Sequence, residues 1–331
     1  MAVLVTGGAG YIGSHMAYAL QDRGEQVVVL DNLSTGQRKL IPAGAVFVEG
    51  SVGDAALVSR ILRENDIEAV GHFAGSIVVP ESVVDPLGYY GNNTVNASVL
   101  IRECVGAGVR NFIFSSTAAV YGTPNTPRVP EAAPTAPINP YGRSKLMTEW
   151  MLEDASRAHS ISYVALRYFN VCGADPQGRT GQSTPRATHL IKRACQAAQG
   201  HISHLDIFGT DFDTPDGTGV RDYIHVSDLV DVHLLALDSL RAGGPSAVYN
   251  VGYGVGFSVR EVIAAVERVA GRAIPVKEGP RRAGDPALLI ADPGLVRSAL
   301  DWHPKYCDLM TIVRSAYAWE QTQHDPAQTS I

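Results

Sequence analysis

Apolar runs recur along the first half of the chain and alternate with stretches of a longer period. Val3-Leu4-Val5, Val27-Val28-Val29-Leu30, Val46-Phe47-Val48, Ile67 to Phe73, Asn111 to Ser115 and Tyr163 to Tyr168 are short and rich in β-branched or aromatic residues. Each reads as a strand. Helical patterns lie between them: Tyr11 to Gly24, Asp54 to Glu64 with Asp54 as N-cap, about 86–106, and 140–159. The last of these starts where Asn139 can cap and Pro140 can take the first helical position. Strands alternating with helices predict parallel β-α units, and hence an α/β fold with a Rossmann-type doubly wound parallel sheet. Ligands of such sheets bind at the strand ends along one edge. Here those ends are Thr6-Gly7, Asp31, Phe73-Ala74-Gly75, Ser115-Ser116-Thr117 and Tyr168-Phe169-Asn170.

From about residue 170 the rhythm breaks. Residues 173–181 and 211–219 read as loops, 187–199, 228–241, 258–269 and 308–321 as helices, and 205–208 and 248–251 as strands. This predicts a dinucleotide-binding domain over 1–169 and a smaller C-terminal α/β substrate domain over 170–331, with some segments of the second returning to the first. Residues 325–331 are expected to fray.

The first strand runs straight into Gly8-Ala9-Gly10-Tyr11-Ile12-Gly13, a G-x-G-x-x-G match. Glycine lets a strand turn tightly into a helix while bare backbone amides face a phosphate. Alone the match is weak, because a glycine-rich turn explains it equally well. It gains weight from the preceding strand and from Asp31, which ends the second apolar run about 20 residues on, where a carboxylate receives the hydroxyls of an adenine-side ribose. Asp31 would also repel a 2′-phosphate, so the expected cofactor is NAD rather than NADP.

Tyr141 and Lys145 stand one helical turn apart on one face. A phenol with a pKa near ~10 is a poor base at neutral pH. A neighbouring ammonium, together with the positive charge of a nicotinamide, favours the phenolate. A bare Y-x-x-x-K arises often by chance, but behind a dinucleotide loop and the Ser115-Ser116-Thr117 strand end it points to a tyrosine base.

Composition narrows the class. Of 331 residues, 45% are hydrophobic and 18% charged, and the net charge of −6 offers no basic stripe for nucleic acid or a membrane surface. The cysteines at 104, 172, 195 and 307 are widely spaced, which suggests free thiols in a reducing compartment. No signal-peptide pattern and no apolar run near the ~20 residues of a membrane span is present. The expected location is cytoplasmic. Asp211 to Gly217 has the wrong spacing for a calcium loop, and His201 with His204 lacks a third ligand, so no metal site is expected. His15 and His72 read as structural, and Glu149 and Glu153 as a solvated helix face.

Taken together, TGGAGYIGSH (6–15), DNLSTG (31–36), HFAG (72–75), NFIFSSTAAVYG (111–122), NPYGRSK (139–145), LRYFN (166–170), DGTGVRDYIHVSDL (216–229) and RRAGD (281–285) form a specific set. The chain resembles the extended short-chain dehydrogenase/reductase family, in its branch of UDP-hexose 4-epimerases, from Val3 to about Trp319. The resemblance implies tightly held NAD, regenerated each cycle, and transient oxidation at sugar carbon 4 followed by rotation of the 4-keto sugar and hydride return. It makes Tyr141 the base, Lys145 its partner and Thr117 the proton relay. Gly7, Gly10, Tyr11, Ile12, Gly13, Asp31, Asn32, Ser51, Val52, Phe73, Ala74, Gly75, Asn92, Ser115, Tyr141, Lys145 and Tyr168 fall on the cofactor side. Thr117, Tyr141, Asn170, His189, Leu190, Phe208, Arg221, Arg282, Asp285 and Leu288 fall on the UDP-sugar side, where two guanidinium groups suit a diphosphate. In related epimerases the counterparts of helices 86–106 and 140–159 pair about a two-fold axis, which implies a homodimer.

Three positions depart from the family pattern. Ser51 stands where an acidic residue is usual, and Ile77, beside Ser76, falls where a lysine is common. Leu288 stands where a bulky aromatic confines some members to plain hexoses, so partial acceptance of N-acetylhexosamines is expected. A sugar dehydratase would need an acidic pair near Thr117, and Thr117 to Gly122 contains no carboxylate. The remaining alternatives are a UDP-pentose or UDP-uronate epimerase or decarboxylase, and a non-catalytic NAD-sensing protein.

Overall fold

The computed structural model describes residues 1–184, 187–282 and 285–323. The tail expected to fray (325–331), and Ala283 and Gly284 of the 281–285 motif, lie outside them. Its strands are β1 Ala2–Thr6, β2 Gln26–Asp31, β3 Val46–Glu49, β4 Ile67–His72, β5 Asn111–Thr117 and β6 Ser162–Tyr168. They continue with β7 Asn170–Cys172, β8 Leu205–Phe208, β9 Val220–His225, β10 Ala247–Val251, β11 Gly256–Ser258, β12 Val276–Gly279 and β13 Leu288–Leu289. The helices are α1 Tyr11–Asp22, α2 Ala55–Glu64, α3 Val79–Val84, α4 Pro86–Tyr89, α5 Asn96–Ala107 and α6 Pro140–Ala158. After them come α7 Leu190–Gln199, α8 Val226–Arg241, α9 Val259–Ala270, α10 Gly294–Leu300 and α11 Leu309–Thr322.

Among the described residues seven strands form one sheet, in the order β10-β6-β5-β4-β1-β2-β3. Every pairing in it is parallel. Both faces are covered, which is why its strands are continuously apolar rather than alternating. Side chains still divide by parity: Val3, Val5, Val27 and Val29 join one core layer, and Leu4, Val28 and Leu30 the other. Helices α1 and α8 cover the first face, and α2, α5 and α6 the second. Arg23 and Arg241, through Asp238 and Glu25, clip α1 to α8 at 2.7 and 2.6 Å.

The strand expected at 248–251 in the C-terminal half is the outer strand of this sheet, with Tyr249 opposite Leu166. The other C-terminal strands make a small sheet around β9, which pairs with β7, β11 and β13, and a parallel pair β8-β12. Helices α7, α9 and α11 continue the core layer of α1 and α8 without a break.

Helix starts follow the expected chemistry. Asp54 accepts from Leu57 N at 3.0 Å, Asn139 from Gly142 N at 2.8 Å and Asp308 from Thr311 N at 2.9 Å. The single helix expected over 86–106 is instead α4, a π turn over Tyr90–Val95, and α5.

Candidate active site

The parallel strands β1, β4, β5 and β6 end on one edge, and a cavity of about 560 Å³ opens there. That volume lies within the usual range for cofactor and ligand sites. The glycine loop forms one end. Gly7 sits at φ 70°, and a Cβ on it would meet the backbone of Ala74 at 2.6 Å. A Cβ on Gly13 would meet the carbonyl of Gly7 at 2.2 Å. The loop therefore tolerates only bare backbone, and it presents its amides at the start of α1.

Asp31, at the end of β2, accepts from Ala9 N at 2.9 Å with one carboxylate oxygen and from Leu33 N at 2.8 Å with the other. It ties the glycine loop to the turn after β2. Each oxygen keeps a second lone pair, and the side chain lines the cavity. A bare-backbone cradle beside a fixed carboxylate fits the pyrophosphate and ribose of NAD.

Tyr141 stands in the first turn of α6, half-buried, with Thr117 of β5 hydrogen-bonded to it. The Thr117 hydroxyl oxygen also accepts from Ala119 N at 3.1 Å, which leaves its proton for the phenolic oxygen. Burial raises the Tyr141 phenol above its ordinary value, and the Thr117 bond opposes that rise. Lys145 is buried, donates to the Ser115 carbonyl at 2.9 Å and lies 5.0 Å from the Phe114 ring centroid. Burial lowers its ammonium to about 8. The lowering of the phenol expected from Lys145 goes together with the positive charge of a bound nicotinamide; here burial is the largest influence on Tyr141, with the Thr117 bond opposing it.

All the residues assigned to the cofactor side, from Gly7 to Tyr168, line this one cavity, as do Thr117, Asn170 and His189. Tyr168 is fixed by hydrogen bonds to Ser115 and to His233 Nε2, whose Nδ1 faces the Leu229 carbonyl at 2.9 Å. The Ser51 hydroxyl accepts from Gly53 N at 3.1 Å, and Ile77 lies exposed on the rim. Asn93, turned inward by the π turn, accepts from Ser76 N at 2.7 Å and donates to the Ser144 hydroxyl at 3.1 Å. His189 is kept neutral by burial, at about 4, and faces Gln182 at 3.3 Å. Leu190 borders a small adjoining void of about 30 Å³.

Phe208, Arg221, Arg282, Asp285 and Leu288 are not among the residues lining either space. They form a separate group: Arg221 is ion-paired with Asp285, the Arg282 guanidinium stacks 3.8 Å from the Phe208 ring centroid, and Leu288 pairs beside Val220. Sequence reasoning missed Glu81, Tyr89, Gln182 and Thr184, which also line the main cavity. Glu81, Gln182 and Thr184 lie on segments with no periodic pattern, Tyr89 lies at the start of the helical pattern over about 86–106, and no motif marked any of them.

Glu149 requires a correction. It is not on a solvated face but 4% exposed. It accepts from Arg167 Nε at 3.0 Å and from Nη2 at 2.6 Å, and from the Ser116 hydroxyl. The helix face turns toward the sheet at this position, and Arg167 compensates the buried charge. Glu153, one turn on, does lie at the surface, paired with Arg157.

Comparison with known proteins places this arrangement. The profile of the NAD dependent epimerase/dehydratase family matches residues 3–252. The chain is 58% identical to the UDP-glucose 4-epimerase of Azospirillum brasilense over 320 residues, 97% of this chain and 92% of that protein. The crystal structure of the UDP-glucose 4-epimerase from Brucella ovis in complex with NAD superposes with a TM-score of 0.93 at 46% identity, covering 96% of this chain and 97% of that one. The UDP-Glc/GlcNAc 4-epimerase of Campylobacter jejuni gives a TM-score of 0.85 at 49% identity, covering 97% and 99%.

Proposed function

The chain belongs to the NAD dependent epimerase/dehydratase family, and from that premise we propose how its own residues carry out the NAD-dependent 4-epimerisation of UDP-hexoses that the protein catalyses. The observation that carries the assignment is the convergence of Thr117, Tyr141 and Lys145 on one cavity with the glycine loop and Asp31.

NAD, when bound, supplies the acceptor and donor of hydride at sugar carbon 4. Gly7, Gly10 and Gly13 would hold its pyrophosphate against the start of α1, and Asp31 its adenine-side ribose. Thr117 Oγ passes the proton of the sugar 4-hydroxyl to Tyr141 Oη and returns it. Burial holds the phenol up and the Thr117 bond opposes it; the Lys145 ammonium, together with the positive charge of bound nicotinamide, would favour the phenolate that takes the proton. Asn170 and His189 would grip the UDP-sugar at the cavity edge. Arg221 and Arg282, each already held by an acidic or aromatic neighbour, would face the diphosphate.

Leu288, shorter than the aromatic of some family members, would leave room for an N-acetyl group once the UDP-sugar reaches it, and the likeness to the Campylobacter jejuni protein supports that reading. We further assign the chain to the cytoplasm, on the cysteine usage above. Residues 1–169 would form the NAD-binding domain and 170–331 mainly the UDP-sugar domain. A homodimer through the segment of α4, the π turn and α5 packed on α6 is supported by outward apolar residues of the π turn and α6. Thr94 and Thr148 hold the two segments together, bonding to the carbonyls of Ser144 and Asn93, and Val95, Met147 and Trp150 are exposed. No helix among the described residues is long and apolar enough to cross a membrane.

The test is to incubate the purified protein with UDP-glucose, UDP-galactose or UDP-N-acetylglucosamine, adding no NAD, and to resolve the products by proton NMR. Interconversion of each 4-epimer pair is expected. Tyr141→Phe should retain bound NAD while losing about 10²- to 10⁴-fold in rate. A Tyr141→Phe variant of unchanged rate would overturn the assignment, and no turnover of the N-acetylated sugar would remove the role given to Leu288.

A further inference from the structure

One buried charge pair outside the assigned machinery touches the segments that carry it. Glu149 lies one turn beyond Lys145 on α6, and the two reach adjacent residues of β5: Lys145 the Ser115 carbonyl, Glu149 the Ser116 hydroxyl. From β6, Arg167 grips both Glu149 oxygens and donates to Tyr121 Oη at 2.8 Å. Tyr121 in turn donates to Asn250 of β10 at 2.8 Å, and Asn250 to the Val129 carbonyl at 2.8 Å. Glu149 and Arg167 are 4% and 7% exposed.

A lysine and a glutamate four residues apart on one helix face attract one another. Inside the protein, where water does not screen the pair, an uncompensated carboxylate must find a cation or take up a proton. The ammonium nearest along the helix is Lys145.

We propose that Arg167, with Ser116, is a positioning residue that captures the Glu149 carboxylate and so keeps Lys145 free for Tyr141 and the sugar-bearing cavity. The same bonds lock the inner face of α6 to the ends of β5 and β6, one residue from Thr117 on the first strand and one from Tyr168 on the second. The inference rests on the Tyr141–Lys145 reading above and deepens it.

The test pairs Arg167→Met with the double variant Arg167→Met/Glu149→Gln in the full-length protein. Epimerisation rate per folded molecule is normalised to bound NAD and circular dichroism. Arg167→Met should lose about 10- to 100-fold in kcat, with KM for UDP-glucose and affinity for UDP within about twofold, since a small misplacement of reacting groups acts on this scale. Removing the stranded charge in the double variant should restore most of the lost kcat. Where Arg167→Met does not accumulate as folded protein, Arg167→Lys, which keeps the charge but not the two-pronged grip, is read in its place, with Glu149→Gln again as its rescue. Unchanged kcat in the single variant, or no recovery in the double, overturns the inference: a purely structural pair would lower stability and leave kcat per folded molecule intact. Normal activity in Arg167→Met beside an inactive Tyr141→Phe would sink this inference alone. An active Tyr141→Phe would sink the reading beneath it.

Discussion

At the residue scale, the site works against its own stability. Lys145 is charged in water, yet the fold buries it and lowers its pKa from 10.5 to about 8. The unfolded chain therefore binds the extra proton between about pH 8 and 10.5, so this residue's contribution to stability rises with pH across that window. At neutral pH the penalty is fully present, on the order of 3 kcal/mol. Lys145→Met in the NAD-free protein should then melt at a higher temperature than the parent at pH 7, with the gap narrowing toward pH 10, while turnover is lost. Calorimetry across that range checks it, and an equal or lower melting temperature at pH 7 contradicts it. Gly7, Asp31, Phe73 to Gly75, Ser115 and Tyr168 were legible in the sequence because they sit at strand ends whose positions the apolar runs define, and Tyr141 and Lys145 from their one-turn spacing. Ser51, Val52 and Asn92 came from the family likeness. Glu149 was not, because the partners that bury it, Ser116 and Arg167, are distant in sequence and give α6 no local signal. The residues that gather around Arg221 and Arg282 came from the family likeness, since no period places them beside one another.

At the scale of elements, caps decided helix starts, and buried polar groups hid strands. Asn139 illustrates the first. Its carboxamide holds the first turn of α6, two residues before Tyr141, so Asn139→Ala should cost about 1 kcal/mol of stability. It should also reduce kcat more than KM, because the turn it holds carries the phenol. Chemical denaturation and steady-state kinetics measure the two effects, and an unchanged kcat would separate the cap from the chemistry. Strand β9 illustrates the second. Asp222 lies in its middle, fully buried, accepting from Tyr253 N at 2.9 Å and Gly254 N at 2.8 Å. A carboxylate serving remote backbone amides interrupts the apolar run by which a strand is recognised. The partners β7, β11 and β13 span only two or three residues, too few to show a period. The π turn was equally invisible, since one extra residue per turn leaves composition unchanged. Its effect is local: it turns Asn93 inward to Ser76 and Ser144.

At the scale of the whole molecule, the apolar surface that Val95 of the π turn and Met147 and Trp150 of α6 turn outward predicts a second copy of the chain against it. Light scattering at micromolar concentration should return twice the chain mass, and Trp150→Glu should shift it toward a single chain. A single-chain mass for the unaltered protein would contradict the dimer. The two halves distinguished in the sequence are physically continuous, because one core cluster runs from β1 through α8 to α11 and the sheet closes only with β10. That closure has a consequence for the nascent polypeptide. The edge of β6 stays unpaired until roughly eighty further residues have been translated, about 4–16 s at ordinary ribosomal speeds. During that interval an aliphatic strand edge is open to the crowded cell, which makes this stretch of synthesis the moment when a chaperone has the most to protect.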